Sequence, residues 1–398
     1  MKHKVFKLQG KVQHYAWGGH KFIPELLGFE NAEQKPCAEY WMGAHPSASG
    51  MLEAEDGLQS WYDLIQQEPV EHLDEQVYQQ FGELPYLLKV LDVREMLSIQ
   101  VHPTRDEAKK GFEREEANGV PVSASHRNYK DKNHKPEVMV ALGEFWLLHG
   151  FKKEEALQQT LEAVPEFNFL SKVFADGGYY ELYKTVMEMP QEEADEILLS
   201  VVEREITTPH TKDEPGYWVS KLYNGVLPIS NVDKGIFSIY FFNIVQVKEG
   251  EAVFQGAGVP HAYLEGQNVE LMANSDNVLR GGLTPKHVDV PELLKHIVFE
   301  GIEPNILTGD VSATGEIEYP LPVADFGISA IKLENGREYV SKSKSAEIFL
   351  VMQGEAHCDP VICKRGEVFV VLGDKEYTIR GIENAVLYKA FVPVAKTV

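Results

Sequence analysis

Cysteine is scarce in this chain: Cys37, Cys358 and Cys363 are the only three among 398 residues. They are too few for a disulfide framework and too scattered for a thiolate zinc site, so they are read as buried or free thiols. Positive charge is also in short supply. Lys and Arg total 38 against 61 Asp and Glu, leaving a formal charge of −23. No block of Lys and Arg is long enough to coat a nucleic acid or lie on an anionic membrane, so neither partner is expected. Long apolar runs are missing as well. Nothing approaches a membrane span, and Met1 to Gly10 lacks the apolar core of a secretion signal, so a cytoplasmic location is expected. No Walker-type or dinucleotide-type glycine loop precedes a helix, which leaves nucleotide binding without support.

What is present is an ordinary globular composition, 43% hydrophobic and 25% charged with 32 Gly and 21 Pro, in a chain long enough for two or three domains and an enclosed pocket. Short apolar runs bounded by Gly, Pro, Asn or Asp, such as 84–93, 97–101, 137–142, 236–247, 347–352 and 367–372, predict strands. Several are apolar at successive positions, as in strands covered on both faces, with buried helix the alternative for any one of them. Between them the period changes. Leu157, Leu161 and Val164, and then Ala194, Ile197, Leu198, Val201 and Val202, recur at helical spacing. The stretches 351–355 with 364–370, and 245–252 followed by Gly258-Val259-Pro260-His261, look like the Gly-turn strand pairs of cupin jelly rolls. The expected architecture is mainly β. A catalytic cupin-type jelly roll is divided between 1–150 and 225–315, a helical insertion fills 151–224, and a C-terminal jelly roll occupies 316–398.

Four clusters carry candidate chemistry. In Leu97-Ser98-Ile99-Gln100-Val101-His102-Pro103, residues two apart on a strand share a face, so Gln100 and His102 point the same way with Ser98 behind them. In Tyr129-Lys130-Asp131-Lys132-Asn133-His134-Lys135-Pro136-Glu137, a polar loop runs into an apolar strand, and Glu137 sits where a carboxylate is costly unless a cation or metal pairs with it. Gly258-Val259-Pro260-His261-Ala262-Tyr263 delivers one His at a strand start, with Tyr263 on its face. Together Gln100, His102, Glu137 and His261 form a four-ligand nitrogen and oxygen set suited to Zn²⁺. The fourth cluster, 270–286, puts Arg280 and Lys286 on a Gly-rich loop. They suit a phosphate, or Arg280 suits charge developing on a sugar oxygen. Tyr15-Ala16-Trp17-Gly18-Gly19 offers aromatic faces, Trp17 among them, for a sugar cleft. Cys37 to Pro46 would bring Glu39 and His45 near it, with core packing as the plainer role for both passages.

Tyr15-Ala16-Trp17-Gly18, Ala38 to Pro46, Leu97 to Pro103, Tyr129 to Glu137, Gly258 to Tyr263 and Asn274 to Lys286 together resemble the successive signatures of class I mannose-6-phosphate isomerases. That resemblance implies a zinc enzyme of cupin type, one Zn²⁺ per chain, interconverting mannose 6-phosphate and fructose 6-phosphate through an enediol, within carbohydrate metabolism leading to GDP-mannose. By position it gives Gln100, His102, Glu137 and His261 as zinc ligands and Arg280 as the active-site arginine. Lys135 becomes the proton-transfer candidate, Asp276 and His134 lie near the ring oxygen, and Lys89 and Ser98 lie at the phosphate end. Gly281 stands where the family pattern has alanine. The partner expected is a small sugar phosphate and the chain is expected to be a monomer. A non-catalytic metal-containing sugar-phosphate sensor is the competing reading, and an iron cupin oxygenase a third.

Overall fold

The structure is a computed structural model and describes residues 4–393; the start of the N-terminal stretch, residues 1–3, and the end of the C-terminal segment, residues 394–398, lie outside the described residues. Two eleven-stranded sheets dominate it, and helices are gathered mainly between residues 154 and 241. The protein is thus mostly β, built of antiparallel ladders.

The hub of one sheet is the strand His261–Ala273. Its second half pairs with Tyr86–Val93 on one side, from Gly266 opposite Val93 to Ala273 opposite Tyr86, and with Glu137–Ala141 on the other. All eight residues of Tyr86–Val93 are buried, which is why its sequence shows no alternation: both faces are covered. The first half of the hub pairs instead with Phe145–Phe151. The change of partner falls at Gly266, at φ +126°, where a Cβ would sit 2.6 Å from the Phe145 ring and 2.7 Å from the Glu144 carbonyl. Only glycine permits that approach.

The second sheet joins the two ends of the chain. Val5–Gln9 lies between Val368–Val371 and Met51–Ala54, and Met51–Ala54 pairs on with Gly57–Ser60. Residues 1–150 are thus shared between the sheets: Val5–Gln9, Met51–Ala54 and Gly57–Ser60 join the sheet built from the last eighty residues, while Lys11–Gln13 and Glu39–Met42 belong to the first. Apolar side chains continue without a break from Leu8 and Trp61 through Leu88 and Val140 to Phe326 and Ile348, so the two sheets share a core.

Helices Glu154–Ala163, Asn168–Glu188, Gln191–Thr207 and Pro215–Leu222 bury Leu157, Leu161, Leu198, Val201 and Val202 in a second core, which also takes in Ile99, Val101, Leu148 and Leu279. The helical segment thus packs beneath the strands that carry the site. Two expectations are corrected here. Gly235–Phe241 is a helix and only Phe242–Val247 is a strand; every residue of that helix is buried, so its sequence has neither period to reveal it. Within 97–101, only Gln100–Val101 is strand, because Ile99 exchanges backbone hydrogen bonds with the irregular Gly281-Gly282 turn, at 2.9 and 3.0 Å. No helix among the described residues is long and apolar enough to cross a membrane.

Candidate metal centre and substrate cleft

Three side chains from different strands meet inside the first sheet. Glu137 opens its strand, His261 opens the hub and His102 follows Gln100–Val101. One ligand atom from each lies within 4.8 Å of the others. Glu137 Oε2 is 3.3 Å from His261 Nε2 and 3.5 Å from His102 Nε2. Gln100 is the ladder partner of His261 and also of Arg280, which brings its side chain to the same face.

The tautomers are set by the backbone. His102 Nδ1 contacts the Asn277 carbonyl at 2.9 Å, and His261 Nδ1 contacts the Val259 carbonyl at 2.9 Å. A carbonyl only accepts, so both Nδ1 atoms carry the proton and both Nε2 lone pairs face Glu137. Those two Nε2 atoms are buried with no hydrogen-bond partner among the described residues. Two buried lone pairs and a carboxylate aimed at one point are poor packing without a cation and good packing with one; the donor set fits a divalent metal. Burial pushes the His102 imidazole down to about 4, against the pull of Glu137, so it stays an unprotonated ligand. Burial would raise the Glu137 carboxyl, but Lys135 and then His102 hold it well below the usual range. Lys135 Nζ reaches the other carboxylate oxygen, Oε1, at 2.8 Å.

Gln100 and Lys135, which adjoin this group, also line a cleft of ≈ 530 Å³ together with Trp17, Ser98, Asp276 and Arg280, among others. Its rim is cationic. Lys130, Arg280 and Lys286 all line it. Burial lowers Arg280, and burial, Arg280 and Lys130 together lower Lys286, with no carboxylate opposing either. None of the three is in an ion pair among the described residues, although Asp276 shares the rim, and three cations so gathered form a ready anion site. Trp17 stacks on Tyr15 at the mouth, with ring centroids 6.0 Å apart. Lys130 went unnoticed in the sequence, where it was one charge in a polar loop. That loop is fixed by Asn277, fully buried, whose side chain accepts from the N–H groups of Lys130 and Asp131 at 2.7 and 3.2 Å and donates to the carbonyls of Asp131 and Asn133 at 2.9 Å. His149 and Gln255 were also missed. They sit on the ladder opposite His261 and Glu137 and bond each other at 2.7 Å. Nothing in their local sequence marks them.

Three expected site residues have surroundings the sequence did not reveal. Lys89 lines the cleft with its charge paired: it is buried, 3.0 Å from Glu270 and 3.3 Å from Glu39, and lies over the Trp41 ring. Burial would lower its ammonium, but Glu270 and Glu39 outweigh that and hold it well above the lysine range. His134 is not among the residues that line the cleft; its Nε2 sits 3.0 Å from Asp325 and 2.6 Å from Arg105, which themselves bond each other. Tyr263 packs edge-on against Phe145 among apolar side chains, and its hydroxyl has no hydrogen-bond partner among the described residues. Asp276 stands at the rim, half exposed, 3.8 Å from buried His45.

A family model described as the phosphomannose isomerase type I catalytic domain matches residues 5–154. The mannose-6-phosphate isomerase of Escherichia coli (strain K12) is 37% identical over 387 residues, covering 94% of this chain and 97% of that protein. The Homo sapiens protein of the same name is 31% identical over 421 residues, covering 95% of each. Among solved structures, mannose 6-phosphate isomerase from Salmonella typhimurium bound to substrate (F6P) and zinc superposes with a TM-score of 0.88 at 35% identity, over 98% of this chain and 100% of that one.

Proposed function

The chain belongs to the type I phosphomannose isomerase family, a family of enzymes, and on that premise we propose that it is a zinc-dependent, cytoplasmic isomerase interconverting mannose 6-phosphate and fructose 6-phosphate on a cupin jelly-roll scaffold. The observation that carries the reading is a group of two imidazole nitrogens without hydrogen-bond partners among the described residues and a carboxylate, joined through Gln100 and Lys135 to a cleft that Lys130, Arg280 and Lys286 also line. Relatives under the isomerase name, and one bound to F6P and zinc, support it.

Gln100, His102, Glu137 and His261 would hold the metal. When bound, zinc supplies Lewis acidity toward the sugar oxygens. The remaining work falls to the chain's own side chains. The phosphate is held by Lys286 and Lys130, with Arg280 between it and the reacting carbons, where its guanidinium stabilises the negative charge of the enediolate. Lys135, which lines the cleft beside Glu137, moves the proton between C1 and C2, acting as base from its neutral amine. Asp276, at the rim, takes and returns a hydroxyl proton during opening of the sugar ring. Trp17 lays an aromatic face on the sugar and narrows access of water, and Ser98 lines the same wall. Lys89, paired with Glu39 and Glu270, faces the substrate from the cleft wall beside Trp41.

The test is a coupled assay of mannose 6-phosphate turnover before chelation, after it, and after zinc is returned. Turnover lost and then restored is expected. Zinc-loaded protein that does not turn the sugar over would overturn the reading.

A further inference from the structure

Asp233 lies outside the cleft, in the segment between helices Pro215–Leu222 and Gly235–Phe241. Its carboxylate accepts three backbone hydrogen bonds. Oδ1 takes the N–H groups of Gly235 at 2.7 Å and Leu283 at 2.8 Å, and Oδ2 takes that of Thr284 at 2.9 Å. The last two belong to the loop that follows Arg280 and carries Lys286. That loop is in an uncommon conformation. Gly282 is at φ +117° and Leu283, a branched residue, is at φ +55°. A Cβ on Gly282 would lie 2.6 Å from the Gly235 Cα, so the two chain segments touch backbone to backbone.

Such a loop persists only when its surroundings hold it. Arg280 is fixed independently, by its ladder with Gln100. Beyond Gly282, the backbone toward Lys286 is held by Asp233, by the buried Leu283 side chain in the second core and by one bond from Lys286 N–H to Thr284 Oγ1 at 3.1 Å. Asp233 is itself held from below. Its N–H donates to Tyr223 Oη at 3.0 Å, and the N–H groups of Asn231 and Val232 donate to Asp195 of helix Gln191–Thr207 at 2.8 Å.

We infer that Asp233 is a positioning residue through which the helical segment holds Lys286 at the phosphate end of the cleft. The inference rests on the phosphate assignment proposed above. A carboxylate is needed because all three groups facing it are donors; an asparagine keeps one acceptor oxygen and turns its NH₂ against a third N–H.

The test compares Asp233→Asn, Asp233→Ala and Lys286→Ala in the full-length, zinc-loaded protein. Asp233→Ala is expected to raise KM for mannose 6-phosphate about 10-fold, as for loss of a charge-assisted contact. The inhibition constant of inorganic phosphate should rise by a similar factor, while kcat stays within about threefold and zinc content is unchanged. Asp233→Asn should fall between the parent and Asp233→Ala, and being isosteric it supplies the same readout if the alanine variant does not fold. If Lys286→Ala raises both constants and the Asp233 variants raise neither, Asp233 does not position the loop and the inference fails while the phosphate assignment stands. If Lys286→Ala leaves both unchanged, the phosphate is held elsewhere and the inference falls with that assignment. A general loss of kcat and zinc in the Asp233 variants would also overturn it, by showing a purely structural role.

Discussion

Replacing Asn277 with alanine tests the claim that one buried amide shapes the loop at the cleft edge. The side chain is fully buried and satisfies four backbone groups, the N–H of Lys130 and of Asp131 and the carbonyls of Asp131 and Asn133. Truncation leaves all four without that partner. At about 1 kcal/mol for each, the loss is about 4 kcal/mol before water re-enters the space. For 398 residues, an unfolding entropy near 2.1 cal/mol/K per residue gives roughly 0.8 kcal/mol/K, so Tm should fall by about 5 °C. Lys130 lies on the loop released, so KM for the sugar phosphate should rise with it. Asn277→Asp should lower Tm further, because it keeps the acceptor but presses a carboxylate against Asp131 Oδ1, now 3.1 Å from the amide nitrogen. Thermal melts by circular dichroism and steady-state kinetics read both effects. A Tm shift under 1 °C with unchanged KM would refute the reasoning.

Lys89→Met removes the cation between two buried carboxylates and should cost about 3–5 kcal/mol in urea unfolding, while Lys89→Met combined with Glu270→Gln should recover part of it; no recovery would mean the pair is not coupled. His72 is fully buried with both ring nitrogens unpartnered among the described residues, and burial pushes it down to about 4 from 6.5, with Glu71 opposing. The unfolded chain therefore binds the proton first as pH falls, and stability present above about 6.5 is lost on the way down to about 4, roughly 2 kcal/mol of it by pH 5. His72→Leu should make the fall in Tm between pH 7.5 and pH 5 about 2 °C smaller; equal falls in parent and variant would show that His72 does not contribute. Cys37, Cys358 and Cys363 are all buried, and burial pushes the last two thiols up to about 12. A chromogenic disulfide should find no reactive thiol in the native protein and three in denaturant, and rapid native labelling would contradict the burial.

The grouping of His102, Glu137 and His261 was legible because each sits where a local signal changes: a proline ends one strand, a polar loop enters another, and a Gly/Pro turn starts the third. Strand alternation paired Gln100 with His102 in the sequence, whereas the strand ends at Val101 and Gln100 meets the group as the ladder partner of His261. The pairing of Lys89 was not legible, since its partners Glu39 and Glu270 are remote in sequence and become neighbours only through ladders to strands on either side. His134 and Lys135 are adjacent, and their divergence depends on Asp325, nearly two hundred residues later. Lys130 and Lys132 look alike in sequence; only the turn held by Asn277 gives them different surroundings. Strands read well where flanking Gly and Pro bounded them. Helix Gly235–Phe241 did not, because burial on all sides erases the periodicity on which such a reading depends.

The place of Val5–Gln9 between Val368–Val371 and Met51–Ala54 bears on how the protein is made. On a ribosome adding about 5–20 residues per second, the first strand emerges roughly 20–70 s before its neighbour near the far end exists. Through that interval one edge of an apolar strand stays open, with Val5, Phe6 and Leu8, all buried in the finished protein, in need of cover. The sheet closes only when synthesis is nearly complete, so a chain stalled or truncated before residue 368 would present that edge to any strand it met.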